Sequence, residues 1–318
     1  MVSVVIVNFN GKSRISACIA SCKADGVDEK DIIIIDNGSD DSSVTMLREQ
    51  FSEVKILENS CNAGFSRAVN QGVRESQQDL ILILNNDARL QAGCIANFIQ
   101  CAQSFPNAAL IGGRLIDAQQ SPQNVVAPFP SVWHELLPKF LLKSFLGHDQ
   151  MGRLADVSHP LVVPTVIGAA LMLRKSCLPK LGFLDEDFFF YLEETEWCHR
   201  AHVLGFDVVL CPQAVVVHEL GGTANQYQAA SRIEFHRSRL LYARKVEGSL
   251  AWSVLSIHYY FSSTINLISN ALAMVLTLFL VSRLRRKTRM YAVVWLWHFS
   301  GRPSGWGLPN KCPRSKND

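Results

Sequence analysis

The chain has 318 residues, 48% of them hydrophobic, and a net charge of +3, so it can bury a sizeable core and has too little basic excess for nucleic acid. Nine cysteines without a C-x-x-C pair or a cysteine–histidine cluster argue against a zinc module and predict reduced, mostly buried thiols in a cytosolic protein. The opening MVSVVIVNFNG enters a strand at once, with neither a basic leader region nor a small-residue cleavage site, which argues against secretion.

The first third alternates apolar runs with amphipathic stretches. VSVVIV (2–7), DIIIID (31–36), VKIL (54–57) and LILIL (80–84) are continuous rather than alternating, the pattern of strands covered by helices on both faces. Between them, Ser13–Lys23, Asp41–Phe51 and Gly64–Glu75 carry their apolar residues on one side and predict helices. Repeated strand–helix units imply right-handed crossovers and a mostly parallel, doubly wound α/β sheet, whose ligands sit beyond the carboxyl ends of the strands. The polar residues Asn8, Asp36 and Asn85 to Asp87 fall at those ends.

From Ala118 to Pro160 the pattern dissolves into Gln, Pro, Ser and isolated aromatics, which reads as a variable insertion. LVVPTVIGAALMLRK (161–175) resumes strand character, and LEETEWCHRAHVLGF is a helix closed by Gly205. DVVLCP and AVVVHE predict two more strands, and RIEFHRSRLLYARK (232–245) is basic. The natural division is a domain over 1–230 and a basic, apolar helical segment over 231–318.

Gly248 to Ser282 contains no Asp, Glu, Lys or Arg, and RLRRKTR follows directly. The run is long enough to consider a bilayer span, but His258, Asn266 and Asn270 interrupt it and leave only Ala271–Val281 densely apolar. A single crossing from a cytosolic domain would also put the arginines outside, against the positive-inside tendency. The expectation is a re-entrant or interfacial helical element with its cations at anionic headgroups; a true span and a plain helical hairpin stay open.

The turn after the first strand reads VNFNGKS, with one glycine, so it carries neither the G-x-G-x-x-G of a dinucleotide site nor a P-loop lysine. IIIIDNGSDDSS places Asp36 where a carboxylate can accept the N3–H of a pyrimidine. The same residues also make an ordinary turn that caps the next helix.

VSVVIVNFNG, IIDNGSDDSS, NAGFSRAVNQGV, LNNDARL, GFLDEDFFFYLEETEWCHRA and VVHELGGT, in this order over about Met1 to Gly248, resemble inverting GT-A-type glycosyltransferases of family 2. The likeness is greatest to the rhamnosyltransferase-like branch that builds bacterial O-antigen and related polysaccharides, whose tails HFSGRPSGWGLP also resembles. The resemblance implies a GT-A fold and transfer of a sugar, rhamnose among the candidates, from a dTDP- or UDP-linked donor to a saccharide or lipid-linked acceptor. The C-terminal apolar and basic segments would keep such an enzyme on the cytoplasmic face of the inner membrane, where a lipid-linked saccharide is available.

In that branch LNNDA holds the place of the D-x-D-type motif, so Asp87 is the implied carboxylate on Mg²⁺ or Mn²⁺, hard cations that suit oxygen ligands. Asn85 and Asn86 are implied contacts to ribose or phosphate, and His218 is an implied second metal ligand. A polar turn at Asn85–Asp87 and a merely packed His218 are the plain alternatives. By position Glu194 is the implied base that takes the acceptor proton, with Glu193 as fallback; glutamates replace the aspartates usual in the motif. Three acids at a helix start also suit its macrodipole, and Glu196 with Arg200 predicts an i,i+4 ion pair. Asn8, Asn37, Asn62 and Arg67 complete the expected nucleotide-sugar set, Asn70 is expected to tie loops, and Trp197 with the 118–160 segment to meet the acceptor. A nucleotidyltransferase would need a longer, glycine-rich basic loop than NFNGKS; an inactive membrane-associated scaffold remains the other alternative.

Overall fold

The computed structural model describes residues 1–137, 157–219 and 226–312. In chain order the first part comprises β1 (Val2–Asn8), α1 (Lys12–Ala24), β2 (Ile32–Asp36), α2 (Ser43–Gln50), β3 (Lys55–Glu58), α3 (Phe65–Glu75), β4 (Leu80–Asn85), β5 (Ala88–Leu90), α4 (Cys94–Ser104) and β6 (Ala108–Ile116). Then come α5 (Val132–Leu136), β7 (Leu161–Val162), β8 (Ala170–Arg174), α6 (Leu178–Leu181), α7 (Glu193–Val203), β9 (Asp207–His218), α8 (Gln228–Tyr242), α9 (Ser249–Leu276) and α10 (Ser282–Phe299).

One nine-stranded sheet runs β3-β2-β1-β4-β8-β6-β9-β5, with β7 also paired to β9. Its first four strands are parallel, as the apolar runs predict, and Val4, Ile6, Ile32, Ile34 and Leu82 are fully buried. Gly72 lets α3 settle on β1, because a Cβ there would strike Val5. Beyond β4 the sheet departs from the mostly parallel expectation. β8 runs antiparallel to both β4 and β6, and β5 antiparallel to β9. The sheet is therefore mixed. Hydrophobic runs report burial on two faces but not strand direction, which is set by the connections.

Two strand readings also change. The 161–175 run is broken into β7 and β8, and the two strands expected over 207–219 are one strand, β9. Its register against β6 shifts between Gly113↔Cys211 and Arg114↔Val215. Pro212, which has no N–H to give a ladder, sits in the resulting bulge. The 118–160 insertion contains α5 and an ordered stretch around Gln123; its residues 138–156 lie outside the described residues. The proposed division at residue 230 falls inside α8.

The C-terminal segment forms a helical hairpin. α9 turns at Leu278 and Phe279, both with positive φ, and α10 returns to the body. No helix among the described residues is long and apolar enough to cross a membrane.

Past α10, the chain is strapped down by the fully buried Glu234 of α8. Its carboxylate accepts the Leu308 N–H (3.0 Å) and pairs with Arg237 (2.6 Å) and Lys311. The strap then joins the loop after β3: Asn62 N–H donates to the Asn310 carbonyl (2.7 Å) and Cys312 N–H to the Asn62 carbonyl (3.1 Å). There Cys61 and Cys312 form a disulfide across a sequence separation of 251. The expectation of reduced thiols thus fails for this pair, while the other seven cysteines are free and buried. Spacing gives no sign of a pairing that the returning tail creates.

Candidate active site

The carboxyl ends of β2, β1 and β4 lie side by side, with Asn8 opposite Asp36 and Val7 opposite Asn85. The strand order reverses between β1 and β4, and such a switch point opens a crevice. Three consecutive residues at the end of β4 divide the crevice between them. Asn86 turns towards β1, donating from Nδ2 to Asn8 Oδ1 (3.0 Å), while Asn85 and Asp87 turn towards β9.

The β1 side is a closed network of amides. Asn8 Nδ2 donates to Asp36 Oδ1 (2.8 Å) and Ser43 Oγ (2.9 Å), and the Ser39 N–H donates to Asp36 Oδ2 (2.9 Å). Asn37 accepts from Asn59 Nδ2 (2.9 Å) and donates to the Gly64 carbonyl (3.1 Å) and Asn62 Oδ1 (3.3 Å). Asn8, Asp36, Asn37 and Asn62 are all buried. Buried polar groups at this density persist only when mutually satisfied, and their first effect here is to fix the loops that frame the crevice. Gly11 is required for space, since a Cβ on it would collide with Asn86 Nδ2 and Asn8 Oδ1.

The β9 side brings together Asp87 and His218. β5 pairs antiparallel with β9, Ala88 opposite His218, and Glu219 N–H donates to the Asp87 carbonyl (3.0 Å). This short strand, not singled out by the sequence reading, sets Asp87 Oδ1 3.3 Å from His218 Nε2. Gln123 orients the ring. Its Nε2 donates to the His218 carbonyl (2.7 Å), which can only accept, so its Oε1 faces His218 Nδ1 at 3.2 Å. Nδ1 then carries the proton, and in the neutral ring the Nε2 lone pair points at Asp87. An amide that fixes the tautomer in this way is a usual support for a metal-binding histidine. Two ligands on neighbouring positions of one small divalent ion lie about 3 Å apart, given bonds of about 2.1 Å, so the pair fits such a cation. The described residues contain no group of three or more His, Cys, Asp or Glu for a metal, so further ligands must come from elsewhere.

Glu193 and Glu194 open α7 directly after Tyr191 and Leu192, both with positive φ. Two consecutive non-glycine residues in the left-handed region store strain, which packing must hold. Glu194 lies against Gly168, its side-chain carbons 3.5 to 3.6 Å from where a Cβ there would be. The next residue, Ala169, accepts the Asn85 N–H (3.0 Å), so Glu194 stands one strand away from the end of β4. Oε2 of both glutamates is buried without a hydrogen-bond partner. Burial pushes the Glu194 carboxyl above its ordinary range, against the pull of N–H groups at Glu194, Gly168 and Thr195. Burial, and then the neighbouring Glu194 charge, pushes Glu193 well up. A carboxylate of raised proton affinity with one oxygen unpaired suits a general base.

The other expected residues divide between those found as expected and those that are not. Arg67 is partly exposed, its Nε 3.4 Å from Glu186, in a pocket that it lines together with Asn62 and the tail. Asn70 does tie loops, donating to the Leu184 carbonyl (2.9 Å) and accepting its N–H (3.1 Å). Glu196 and Arg200 form the expected ion pair at 2.6 Å. Trp197 is not available to an acceptor: it is 1% exposed and donates to the Gly182 carbonyl (3.0 Å), because its helix face packs on the sheet. Gln123 is the residue the sequence reading missed. A glutamine in a polar stretch gives no local signal, and its role exists only once β9 lies beside it.

Residues 3–178 match the sequence profile described as "Glycosyl transferase family 2". The N-acetylglucosaminyl-diphospho-decaprenol L-rhamnosyltransferase of Mycobacterium tuberculosis is 22% identical over 255 residues, 75% of this chain and 82% of that one. The dTDP-rhamnosyl transferase RfbF of Shigella flexneri is 23% identical over 224 residues, 68% of each chain. Among solved structures, GalNAc-T7 with UDP, GalNAc and Mn²⁺ superposes with a TM-score of 0.52 at 16% identity, over 69% of this chain and 43% of that longer one.

Proposed function

Because the chain belongs to glycosyl transferase family 2, and is thus a glycosyltransferase with a GT-A-like fold, we propose that it transfers a sugar from a pyrimidine nucleotide-diphosphate donor with inversion at the anomeric carbon. The pairing of Asp87 with His218 at 3.3 Å carries this reading. Those two residues would hold Mg²⁺ or Mn²⁺ together with the donor's phosphate oxygens. When bound, the cation neutralises the charge that grows on the departing diphosphate.

The chain's own groups supply the rest. Glu194 takes the proton of the acceptor hydroxyl as its oxygen bonds to the anomeric carbon and the bond to the nucleotide diphosphate breaks. Glu193, the more buried of the two, is pushed well above its ordinary range by burial and then by the Glu194 charge, which favours its protonated form and limits the charge placed beside Glu194. Asp36, whose oxygens each retain a lone pair beyond the bonds from Asn8 and Ser39, accepts the pyrimidine N3–H. Asn85 and Asn86 line the path between base and metal.

The names of the relatives support a rhamnosyl donor and a lipid-linked saccharide acceptor. An acceptor of that kind would be met at the cytoplasmic face of the inner membrane. Reducing conditions there would open the Cys61–Cys312 bond, and the Glu234 contacts and backbone bonds at Asn62 would keep the strap in place. The test is thermal stabilisation by UDP and dTDP with and without Mn²⁺. Stabilisation should need the cation in the parent protein, and the cation-dependent part should be lost in Asp87→Asn. Nucleotide binding indifferent to Mn²⁺ in the parent would overturn the metal assignment.

A further inference from the structure

We propose that the α9–α10 hairpin docks the protein on an anionic lipid surface by lying in the plane of the headgroups. The inference stands apart from the sugar-transfer reading, because it rests on the hairpin alone.

Every residue from 264 to 293 is half-buried or exposed, so beyond Ser263 the two helices leave the body and pack on each other. The projecting part of α9, 264 to 276, is about 20 Å long at 1.5 Å per residue. On α9, Ile257, Phe261, Ile265, Ile268, Leu272 and Val275 are all exposed. At about 100° per residue they fall on one face within an arc of roughly 80°, opposite buried Leu255, Tyr259 and Ser263. The turn continues the stripe: residues 278–281, Leu-Phe-Leu-Val, are exposed. Isolated exposed apolar side chains are ordinary, whereas a continuous stripe of this extent marks an interaction surface.

Two observations select a lipid surface as its occupant. Polar residues of the projecting part are turned back onto their own helix. Thr264 Oγ1 donates to the Tyr260 carbonyl (2.9 Å), Asn266 Nδ2 to Ser262 (2.8 Å), Asn270 Nδ2 to Asn266 (2.8 Å) and Thr277 Oγ1 to Ala273 (2.9 Å). Donors that already bond within the helix lower the cost of immersion in an apolar medium. Charge is the second. Residues 249–312 contain no Asp or Glu, and Arg283, Arg285, Arg286, Lys287 and Arg289 are exposed on the first turns of α10. Such a cluster is attracted to anionic headgroups.

The placement of those cations also decides the orientation. They adjoin the turn, so end-on insertion would carry five charges into the hydrocarbon, and the projecting part is in any case shorter than its thickness of about 30 Å. With the hairpin flat, the stripe and turn sink to the acyl boundary while the long basic side chains reach the phosphates. The base of the hairpin is coupled to the site: α8 packs on both helices, and Ser238 Oγ donates to the Phe190 carbonyl (2.8 Å), three residues before Glu193.

The experiment is co-sedimentation of the full chain with vesicles of phosphatidylethanolamine and phosphatidylglycerol, and with vesicles of phosphatidylcholine alone. Binding to the anionic vesicles should be at least tenfold tighter, and should weaken at least tenfold in Leu272→Asp and in Arg285→Gln/Arg286→Gln. All variants should keep the parent's thermal midpoint, since these side chains are exposed. Failure to sediment with anionic vesicles, or unchanged binding by Leu272→Asp, would overturn the proposal. A dimer in solution that Leu272→Asp dissociates, without vesicle binding, would assign the stripe to a second copy and equally overturn it. The readout needs no sugar donor, so its failure leaves the transferase reading untouched.

Discussion

The α/β body and the C-terminal hairpin treat polar and apolar groups in opposite ways. In the body, Asn8, Asp36, Asn37 and Asn62 are buried and satisfy one another, while the isoleucines of β1 and β2 are sealed in the sheet. In the hairpin the isoleucines face outwards and the amides bond to their own backbone. The body thus holds a preformed polar crevice inside, and the hairpin, on the docking proposed above, suits a medium that competes for neither hydrogen bonds nor apolar surface. Burial of like residues in unlike surroundings therefore distinguishes a chemical site from a docking site within one chain.

The contrast can be broken most forcefully at the core. Ile34→Ala, fully buried in β2, should lower the free energy of unfolding by about 2–5 kcal/mol, read from urea denaturation. Next comes Glu194→Gln, expected to reduce turnover by about a hundredfold or more while donor binding persists. The same change carries a pH signature. Burial holds the carboxyl above the ordinary glutamate value, so its ionisation opposes folding: its stabilising contribution is complete below that value and lost as pH rises through the folded one. Glu194→Gln should therefore raise the thermal midpoint at neutral pH, and the acid limb of kcat/KM in the parent should lie above the ordinary glutamate range. A midpoint that falls would contradict the environment described for Glu194.

Gln123→Ala should weaken Mn²⁺ affinity in the presence of nucleotide by about tenfold, by releasing the His218 ring, with little change in the affinity for nucleotide alone. Ile268→Ala closes the series. The residue is 54% exposed on the projecting part of α9, so in the absence of vesicles it should alter stability by less than about 0.5 kcal/mol. A loss comparable to that of Ile34→Ala would mean that the stripe is covered in solution.

Much of the body is legible in the chain. The four parallel strands and their three helices stand within two residues of their expected limits, because apolar runs and helical periodicity are local properties. Asp87 and His218 lie together as the family resemblance implies, yet the agent that joins them, three-residue β5, is too short for any pattern to reveal. The antiparallel β8, the bulge that makes β9 continuous, Gln123 beneath His218 and the Cys61–Cys312 pair share one property: each depends on chain segments distant in sequence. Trp197 was misplaced for the same reason, since periodicity gives a helix a face but not the partner it meets.

The strap from Arg302 to Cys312 has a consequence for the birth of the protein. The loop around Asn62, at the rim of the crevice, takes its backbone partners from Asn310 and Cys312. A nascent chain that has emerged only as far as its hairpin therefore holds Asp87, Glu193, Glu194 and His218 but an unfinished rim. If the hairpin is the lipid-docking element proposed above, competence to seat a donor would arrive after that element has been made, and synthesis would order attachment before activity.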